Sequence, residues 1–184
     1  MATQENSGRS SERAALATEK PGHPSVPSSG ALLVERLTHE DIPAIAALYR
    51  RVFESFRPEL PPELLKSFVP NPLEFTSWME NVTYFAARRD GKMIGAVGCE
   101  IADGSCRLVH LGVDPEHRRE SVGTTLVNAA VAWARHNACN SVWIDVMARF
   151  NGAAALFKHL DFAECGVLHR HHVNEDVRFF EKLL

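Results

Sequence analysis

The sequence has little of the features that would place it in a membrane, on a nucleic acid or outside the cell. No apolar run approaches the roughly 18 residues that a membrane-spanning helix needs, so we expect no membrane partner. The formal net charge is -3, whereas phosphate-binding surfaces are usually basic, so we expect no nucleic-acid partner. The first 30 residues contain glutamates and no apolar secretion-signal core, which favours a cytoplasmic protein.

Patterns typical of metal binding are also missing. The four cysteines show no C-x-x-C spacing, and we expect reduced thiols. The run His-Arg-His-His at residues 169–172 resembles a ligand cluster, but alternation along a strand would point the last histidine away from the other two. No cysteine or carboxylate stands at ligand spacing beside them, so we predict a solvated strand end and no metal site.

The sequence does contain enough apolar material for one domain after a polar tail. Residues 1–30 are rich in Ser, Pro, Gly and charged residues. They are predicted to be disordered, because they cannot bury enough apolar surface to offset the entropy cost of ordering. Apolar residues make up 45% of the 184-residue chain, so residues 31–184 are predicted to form a single folded domain.

The first half of this domain carries strand, helix and hairpin signals. Residues 31–37 are typical of a strand, and Thr38 with Asp41 forms an acidic variant of the capping box before a helix. Shorter helices are predicted near residues 63–68 and 72–80. Asp-Gly pairs at residues 90–91 and 103–104 predict an antiparallel meander over residues 83–113, because Asp-Gly favours the type I′ hairpin turn.

The second half alternates between helical and extended patterns. Residues 121–137 and 152–160 are predicted helices, residues 141–147 a strand, and residues 162–173 and 177–184 the two final strands. Strands with interspersed helices indicate a mixed sheet that is covered on both faces.

The strongest functional signal lies in LGVDPEHRRESVGTTLV, residues 111–127. A strand ends before Pro115, a polar loop with Arg118 and Arg119 follows, and a helix begins near Gly123. A helix N-terminus offers unpaired amide hydrogens and the positive end of the helix dipole, which suit a pyrophosphate. Gly123 would let such a ligand approach the backbone closely. The alternative is a capped surface helix with solvated arginines.

Within that stretch, VDPEHRRESVGTTL resembles the acetyl-CoA signature V-x-P-x-x-R-G-x-G-x-G/A-x-x-L of the GNAT superfamily of N-acetyltransferases. WIDV…AAALFKHLDF, within residues 143–162, resembles the family's later strand and helix, and VERLTHEDIPAI, residues 34–45, resembles its first strand and helix. The resemblance implies an α/β acyl-CoA N-acyltransferase fold over residues 31–184. Its mixed, mostly antiparallel seven-strand sheet would carry helices on both faces.

By this resemblance, the acyl donor is acetyl-CoA, bound where the fourth and fifth strands part. The backbone of Leu111, Gly112 and Val113 would pair with its pantetheine arm, and Asn151 and Phe157 would contact it from the last helix. The pyrophosphate would lie against the loop and helix start, which comprise Arg118, Arg119, Glu120, Ser121, Val122, Gly123 and Thr124.

Several positions depart from the family pattern, and three of them bear most on the expected site. Arg119 and Ser121 replace two of the three signature glycines, and we expect Arg119 to avoid positive φ and Ser121 to cap the helix. Phe157 stands where the family has a tyrosine, the presumed acid for the departing thiolate, and phenylalanine has no proton to give. The chain's two tyrosines, Tyr49 and Tyr84, lie outside this segment.

Three residues are candidates for the base that keeps the attacking amine neutral. Asp145 is the first, because it lies on the strand beside the expected cleft and aligns with a glutamate proposed as base in the similar ribosomal-protein alanine acetyltransferases. Glu100 is the second, although a cross-strand ion pair with Arg107 is the simpler interpretation. His110 is the third, since imidazole suits proton transfer near neutral pH, and alternation places it on the face of Leu108.

The resemblance therefore predicts direct transfer of an acetyl group from acetyl-CoA to a primary amine of a small molecule or peptide, without a covalent enzyme intermediate. The alternative is a GNAT-fold module that binds acyl-CoA or a partner with little or no turnover. The sequence leaves the oligomeric state open, and a homodimer is one candidate because dimers are common among relatives.

Overall fold

The computed structural model describes residues 30–62, 64–65 and 71–184. The predicted tail and most of the predicted helix at residues 63–68 lie outside the described residues. No helix in the described ranges is both long enough and apolar enough to cross a lipid bilayer. The strands are β1 Leu33–Arg36, β2 Val82–Arg89, β3 Lys92–Ala102, β4 Ser105–Val113, β5 Ser141–Met147, β6 Ala163–His172 and β7 Glu175–Leu183. The helices are α1 Ile42–Glu54, α2 Pro72–Trp78, α3 Val122–His136 and α4 Asn151–His159.

These strands form one seven-stranded sheet in the order β1-β2-β3-β4-β5-β7-β6. Neighbouring strands are antiparallel except for β4 and β5, which are parallel. Both predicted hairpin turns form, with φ of 51° and 76° at Asp90 and Gly91 and of 48° and 76° at Asp103 and Gly104. Positive φ at both central residues is what a type I′ turn requires. The predicted mixed, mostly antiparallel sheet is confirmed.

Helices bury an apolar core on each face of this sheet. On one face, α3 packs against β2, β3 and β4 through buried residues that include Leu126 and Ala130. On the opposite face, α1 and α2 cover the sheet with Leu48 and Phe75, neither of which has exposed surface. The apolar spacing that predicted each helix therefore also decides which side of the helix packs against the sheet.

The sheet opens in its middle, between β4 and β5. Their parallel ladder runs from the pair Ser105 and Ser141 to the pair Arg107 and Trp143, and no further in the described residues. Beyond it β4 continues to Val113, still paired with β3, and β5 continues, still paired with β7. The backbone of β4 beyond Arg107 thus has one edge that faces a gap rather than a strand.

Candidate active site

A cleft of about 800 Å³ lies beyond the end of the β4–β5 ladder, between the end of β4 and the segment that follows β5. The end of β4, the loop and first turn of α3, the start of α4 and the end of α1 line it. The sequence-predicted cofactor residues in this lining are Leu111, Gly112, Val113, Arg118, Arg119, Ser121, Val122, Gly123, Thr124 and Asn151. The fold therefore brings together the strand end and the helix start that the sequence singles out.

The first turn of α3 presents unpaired amides to this cleft. Within the described residues, no backbone carbonyl or side chain accepts a hydrogen bond from the N–H groups of Val122, Gly123 or Thr124. The first bond of the turn runs from the Thr125 N–H to the Ser121 carbonyl, at 2.9 Å. Because the helix dipole adds positive potential here, the turn suits an anion.

The loop before α3 keeps a left-handed backbone at two non-glycine residues. Arg119 has φ of 67° and Ser121 has φ of 61°. The expectation that Arg119 avoids positive φ is therefore wrong, and Ser121 makes no side-chain cap hydrogen bond. A left-handed L-residue costs roughly 1–2 kcal/mol, so neighbouring contacts must hold this loop in shape.

Arg118 closes one end of the cleft. Its guanidinium donates to Ser55 Oγ at 2.8 Å and lies over the Phe56 ring, 4.7 Å from the centroid. Burial lowers the pKa of Arg118 from its usual value, and the nearby carboxylates of Asp114 and Glu59 oppose that shift. The arginine thereby connects the loop before α3 to the end of α1.

Sequence reasoning missed a second arginine in the lining, Arg149. It follows the carboxyl end of β5 and donates to the backbone carbonyl of Glu59 and to the carboxylate of Glu175. Arg149 thus connects the segment after α1 to the start of β7. Its position two residues after the predicted strand at the expected opening was the signal available in the sequence.

Asp114 was also missed, and it fixes the end of β4 to α1. Its side chain is 2% exposed and accepts hydrogen bonds from Arg51 Nε at 2.8 Å and from the Glu116 N–H at 3.3 Å. Burial raises the pKa of Asp114, but the hydrogen bonds from Arg51 and the Glu116 amide, together with the charges of Arg51 and Lys92, bring the net pKa below the usual value. The carboxylate is therefore a charged tether beside the cleft.

Two residues of the cofactor prediction lie outside the lining. Phe157 has no exposed surface and packs against Phe162 and Phe180, with ring centroids 5.2 Å and 6.1 Å away. No part of its ring is left for a cofactor contact, because α4 turns it into the core beneath the sheet. The Glu120 carboxylate instead accepts a hydrogen bond from Arg89 and lies within hydrogen-bonding distance of His117 Nδ1.

The described lining of the cleft includes none of the three candidate bases, which lie on the sheet face that α1 and α2 cover. Arg107 joins two of them: its Nε and Nη2 donate to Asp145 Oδ1 at 3.2 Å and 2.8 Å. Its Nη1 lies 3.8 Å from Glu100 Oε2, so the expected cross-strand ion pair forms. The Arg107 guanidinium also lies over the ring of Trp143, 5.1 Å from the centroid.

Asp145, rather than Glu100, borders the gap between the strands. It stands two residues beyond Trp143, where the β4–β5 ladder ends, whereas Glu100 lies inside the β3–β4 ladder. Both hydrogen bonds from Arg107 go to Asp145 Oδ1, and within the described residues Oδ2 accepts none. One carboxylate oxygen therefore stays open beside the gap.

His110 lies at a β-bulge, where the β3–β4 register shifts, and has φ of 54°. Its Nδ1 is 2.7 Å from Tyr84 Oη, on the face opposite the core that contains Leu108. The alternation that placed His110 with Leu108 is therefore wrong, because the bulge inserts one extra residue. Burial and the charge of Arg107 lower the pKa of His110 to about 4, and Asp145 opposes the shift.

The histidines at residues 169–172 lie on the exposed β6–β7 hairpin. His169 Nδ1 is 3.1 Å from Asp176 Oδ2. Across the described ranges, no three His, Cys, Asp or Glu side chains are grouped closely enough to hold a metal ion.

The fold and the cleft coincide with a known family. The model of the acetyltransferase (GNAT) family matches residues 44–162, which is more than half of the chain. The chain therefore belongs to the GNAT family. Human N-acetyltransferase 8 is 28% identical over 89 residues, which cover 45% of this chain but only 39% of that protein.

Two solved structures show the same fold. The ribosomal-protein-S18-alanine N-acetyltransferase of Escherichia coli superposes with a TM-score of 0.70 at 20% identity, over 83% of this chain and 94% of its own. The PaiA N-acetyltransferase of Thermoplasma acidophilum, solved in complex with coenzyme A, has a TM-score of 0.71 at 14% identity, over 84% of this chain and 99% of its own.

Proposed function

We propose that the protein transfers an acetyl group from acetyl-CoA to a primary amine of a small molecule or peptide. The observation that carries the proposal is the set of unpaired amides at the start of α3, which opens into the gap between β4 and β5. A helix start beside parted strands offers a pyrophosphate and an extended amide chain their hydrogen-bonding partners together.

The residues of the cleft fit coenzyme A. Val122, Gly123 and Thr124 would hold the pyrophosphate with their amides, and the free edge of β4 would pair with the pantetheine arm. At Gly112, an added Cβ would lie 2.9 Å from Tyr49 Cε1, so glycine keeps α1 close against this edge. Acetyl-CoA supplies a thioester, whose carbonyl carbon the amine attacks while the C–S bond breaks and the thiolate leaves.

Asp145 is the proposed base. Its open Oδ2 borders the gap and would take the proton that the amine nitrogen loses, while Arg107 orients the carboxylate through Oδ1. Phe157 is buried and has no proton, so the departing thiolate would take a proton from water. A thiolate near its usual pKa of about 8.5 leaves without strong acid assistance.

The test combines calorimetry with a thiol-release assay. We expect the chain to bind acetyl-CoA and to release thiol with at least one class in a panel of polyamines, amino acids, aminoglycosides and N-terminal peptides. Asp145→Asn should lower kcat by about 10²–10⁴-fold, the usual value of a general base. Glu100→Gln, which removes the other carboxylate beside Arg107, should cost less than about tenfold.

Buried Phe157 favours a second candidate, a module that binds acyl-CoA without turnover. This candidate predicts calorimetric binding of acetyl-CoA and no thiol release above the rate in water with any amine. Equal rates in Asp145→Asn and the unchanged chain would remove Asp145 as the base while leaving the transferase in place.

A further inference from the structure

Both tyrosines of the chain hold the same residue, His110. The Tyr49 hydroxyl donates to the His110 backbone carbonyl, and the Tyr84 hydroxyl lies 2.7 Å from His110 Nδ1. Each tyrosine is 1% exposed. Trp78 packs nearly flat on the imidazole, with centroids 4.3 Å apart and planes 21° apart. We call His110 with Tyr49, Trp78 and Tyr84 the His110 cluster.

The backbone at His110 is as constrained as its ring. A non-glycine residue with φ of 54° is strained, and a bulge at this point redirects the side chain out of the regular alternation. Strained residues persist where surrounding contacts over-determine them, and they are frequent at functional sites. His110 packs against these side chains but keeps exposed surface of its own, so the cluster holds the ring in one orientation without burying the residue completely.

The buried Tyr84 hydroxyl decides which ring nitrogen carries the proton. Within the described residues, this hydroxyl has no hydrogen-bond partner other than His110 Nδ1. If Nδ1 carried the proton, the hydroxyl hydrogen would be buried without an acceptor, which is costly. Tyr84 therefore donates and Nδ1 accepts. Burial raises the pKa of Tyr84 and lowers that of His110, so both groups are neutral near pH 7.

A neutral imidazole whose Nδ1 accepts a hydrogen bond carries its proton on Nε2. No hydrogen bond to Nε2 forms within the described residues. The Nε2 edge of His110 is thus a donor, on the part of β4 that lies beyond the β4–β5 ladder, and it is unsuited to accept a proton from the amine. This assignment differs from the role of base that the sequence suggests for His110.

We propose that His110 donates a hydrogen bond from Nε2 to an oxygen of the bound substrates, and that Tyr84 is the positioning residue that fixes this tautomer. The inference rests on the proposed transferase function. The oxygen belongs either to the acyl carbonyl, which gains negative charge as the amine attacks, or to a carbonyl group beside the acceptor amine.

The tautomer is tested without substrate, by ¹H–¹⁵N correlation spectra of the histidine-labelled full chain at pH 7. We expect His110 to be neutral with its proton on Nε2. Tyr84→Phe should mix the two tautomers, whereas His136→Phe, on the exposed end of α3, should leave the His110 signals unchanged. A proton on Nδ1, or a charged ring, in the unchanged protein would overturn the inference.

The donor role is tested by thiol release with a matched pair of amines, phenethylamine and phenylalaninamide, which differ by one carboxamide. His110→Phe keeps a flat ring for Trp78 and should lower kcat by about 10–100-fold. His110→Gln restores a donor and should recover part of that loss. A loss with both amines identifies the acyl carbonyl, and a loss with phenylalaninamide alone identifies the acceptor oxygen.

Tyr84→Phe should lower kcat less than His110→Phe does, with the KM for acetyl-CoA unchanged. Unchanged kcat in His110→Phe with both amines would overturn the donor role. If the unchanged chain releases no thiol with any amine of the larger panel, the proposed function fails, and the spectra alone decide the Tyr84–His110 part of the inference.

Discussion

The cleft and the His110 cluster both involve strand β4, and they are built differently. The cleft presents mainly backbone groups, namely the amides of the first turn of α3 and the free edge of β4. The His110 cluster presents a side chain that three aromatic residues hold in one orientation. A site made of backbone depends on chain geometry, whereas a site made of side chains depends on residue identity.

This difference explains how the cleft keeps its geometry without the usual glycines. Arg119 and Ser121 adopt the left-handed conformations that glycine would adopt more readily. The amides therefore point into the cleft although two of the three signature glycines are absent. By the same argument, single substitutions should affect the cleft through charge or volume, and the His110 cluster through lost hydrogen bonds.

The largest expected effect is a loss of affinity for acetyl-CoA when a negative charge is added to the cleft. Gly123→Glu should raise the Kd for acetyl-CoA by at least about 100-fold, roughly 2.7 kcal/mol, because a carboxylate would face the pyrophosphate. Gly123→Gln, which has the same size without the charge, should weaken binding much less. Calorimetry measures both. A Cβ at this position would lie 3.2 Å from Leu156 Cδ2, which is the end of a flexible side chain that can shift slightly. Circular dichroism should therefore show both variants folded. Equal affinity in the two variants would contradict an anion at this turn.

The second effect concerns Asp114, which joins β4 to α1. Asp114→Asn should lower the free energy of unfolding by about 2–3 kcal/mol, because it weakens a charged hydrogen bond to a nearly buried group. Urea unfolding measures this loss. The matched control is Glu116→Gln, which faces the same Lys92 from a side chain that is 80% exposed and should change stability by less than about 0.5 kcal/mol.

The pH dependence of Asp114 follows from the direction of its pKa shift. Its folded-state pKa lies below the usual value, so its contribution is present above the unfolded-state pKa of about 3.9 and is lost as pH falls through the folded-state pKa. The stability difference between the unchanged chain and Asp114→Asn should therefore shrink below about pH 4. A constant difference would show that the tether is not electrostatic.

The third effect concerns Phe157, where restoring the tyrosine of the family tests whether its hydroxyl reaches the cleft. Phe157→Tyr should lower stability by about 1–2 kcal/mol and leave kcat unchanged, because the new hydroxyl would be buried without a partner. Phe85→Tyr, at a half-buried position, should be close to neutral. A rise in kcat in the Phe157 variant would show that this hydroxyl reaches the cleft.

The smallest expected effect is on Ser121, and it tests whether the backbone or the side chain of this residue matters for the cleft. Ser121→Gly should raise the free energy of unfolding by about 0.5–1 kcal/mol, because glycine relieves the left-handed conformation. Ser77→Gly, in α2, should instead lower it by a similar amount. Affinity for acetyl-CoA should be retained in Ser121→Gly, and a large loss would assign the serine side chain a role in binding.

The sequence predicts most of the fold because its signals are local. The strand β5 has the predicted bounds, residues 141–147, both Asp-Gly turns form, and Glu100 lies opposite Arg107 as expected. Each of these features depends on residues that are close in the chain, such as two turn residues or an apolar alternation. The helix start that faces the cleft is also a local pattern.

The details of the candidate site depend on contacts between distant residues, which the sequence does not display. A bulge at His110 changes the face of the strand without changing its residue pattern. The buried environment of Phe157 depends on Phe162 and Phe180, and the pairing of Asp114 depends on Arg51 from α1. Packing of this kind overrides alternation and motif alignment at the positions where chemistry is expected.

The three-residue ladder between β4 and β5 leaves an edge strand in the middle of a sheet. Edge strands usually invite pairing with other polypeptides, and proteins protect them at the rim with charges or short lengths. Here the protection comes from position, because α1 and α3 cover the two faces beside the opening. We expect such an edge, narrowed by helices on both faces, to suit a slender ligand that carries its own amides.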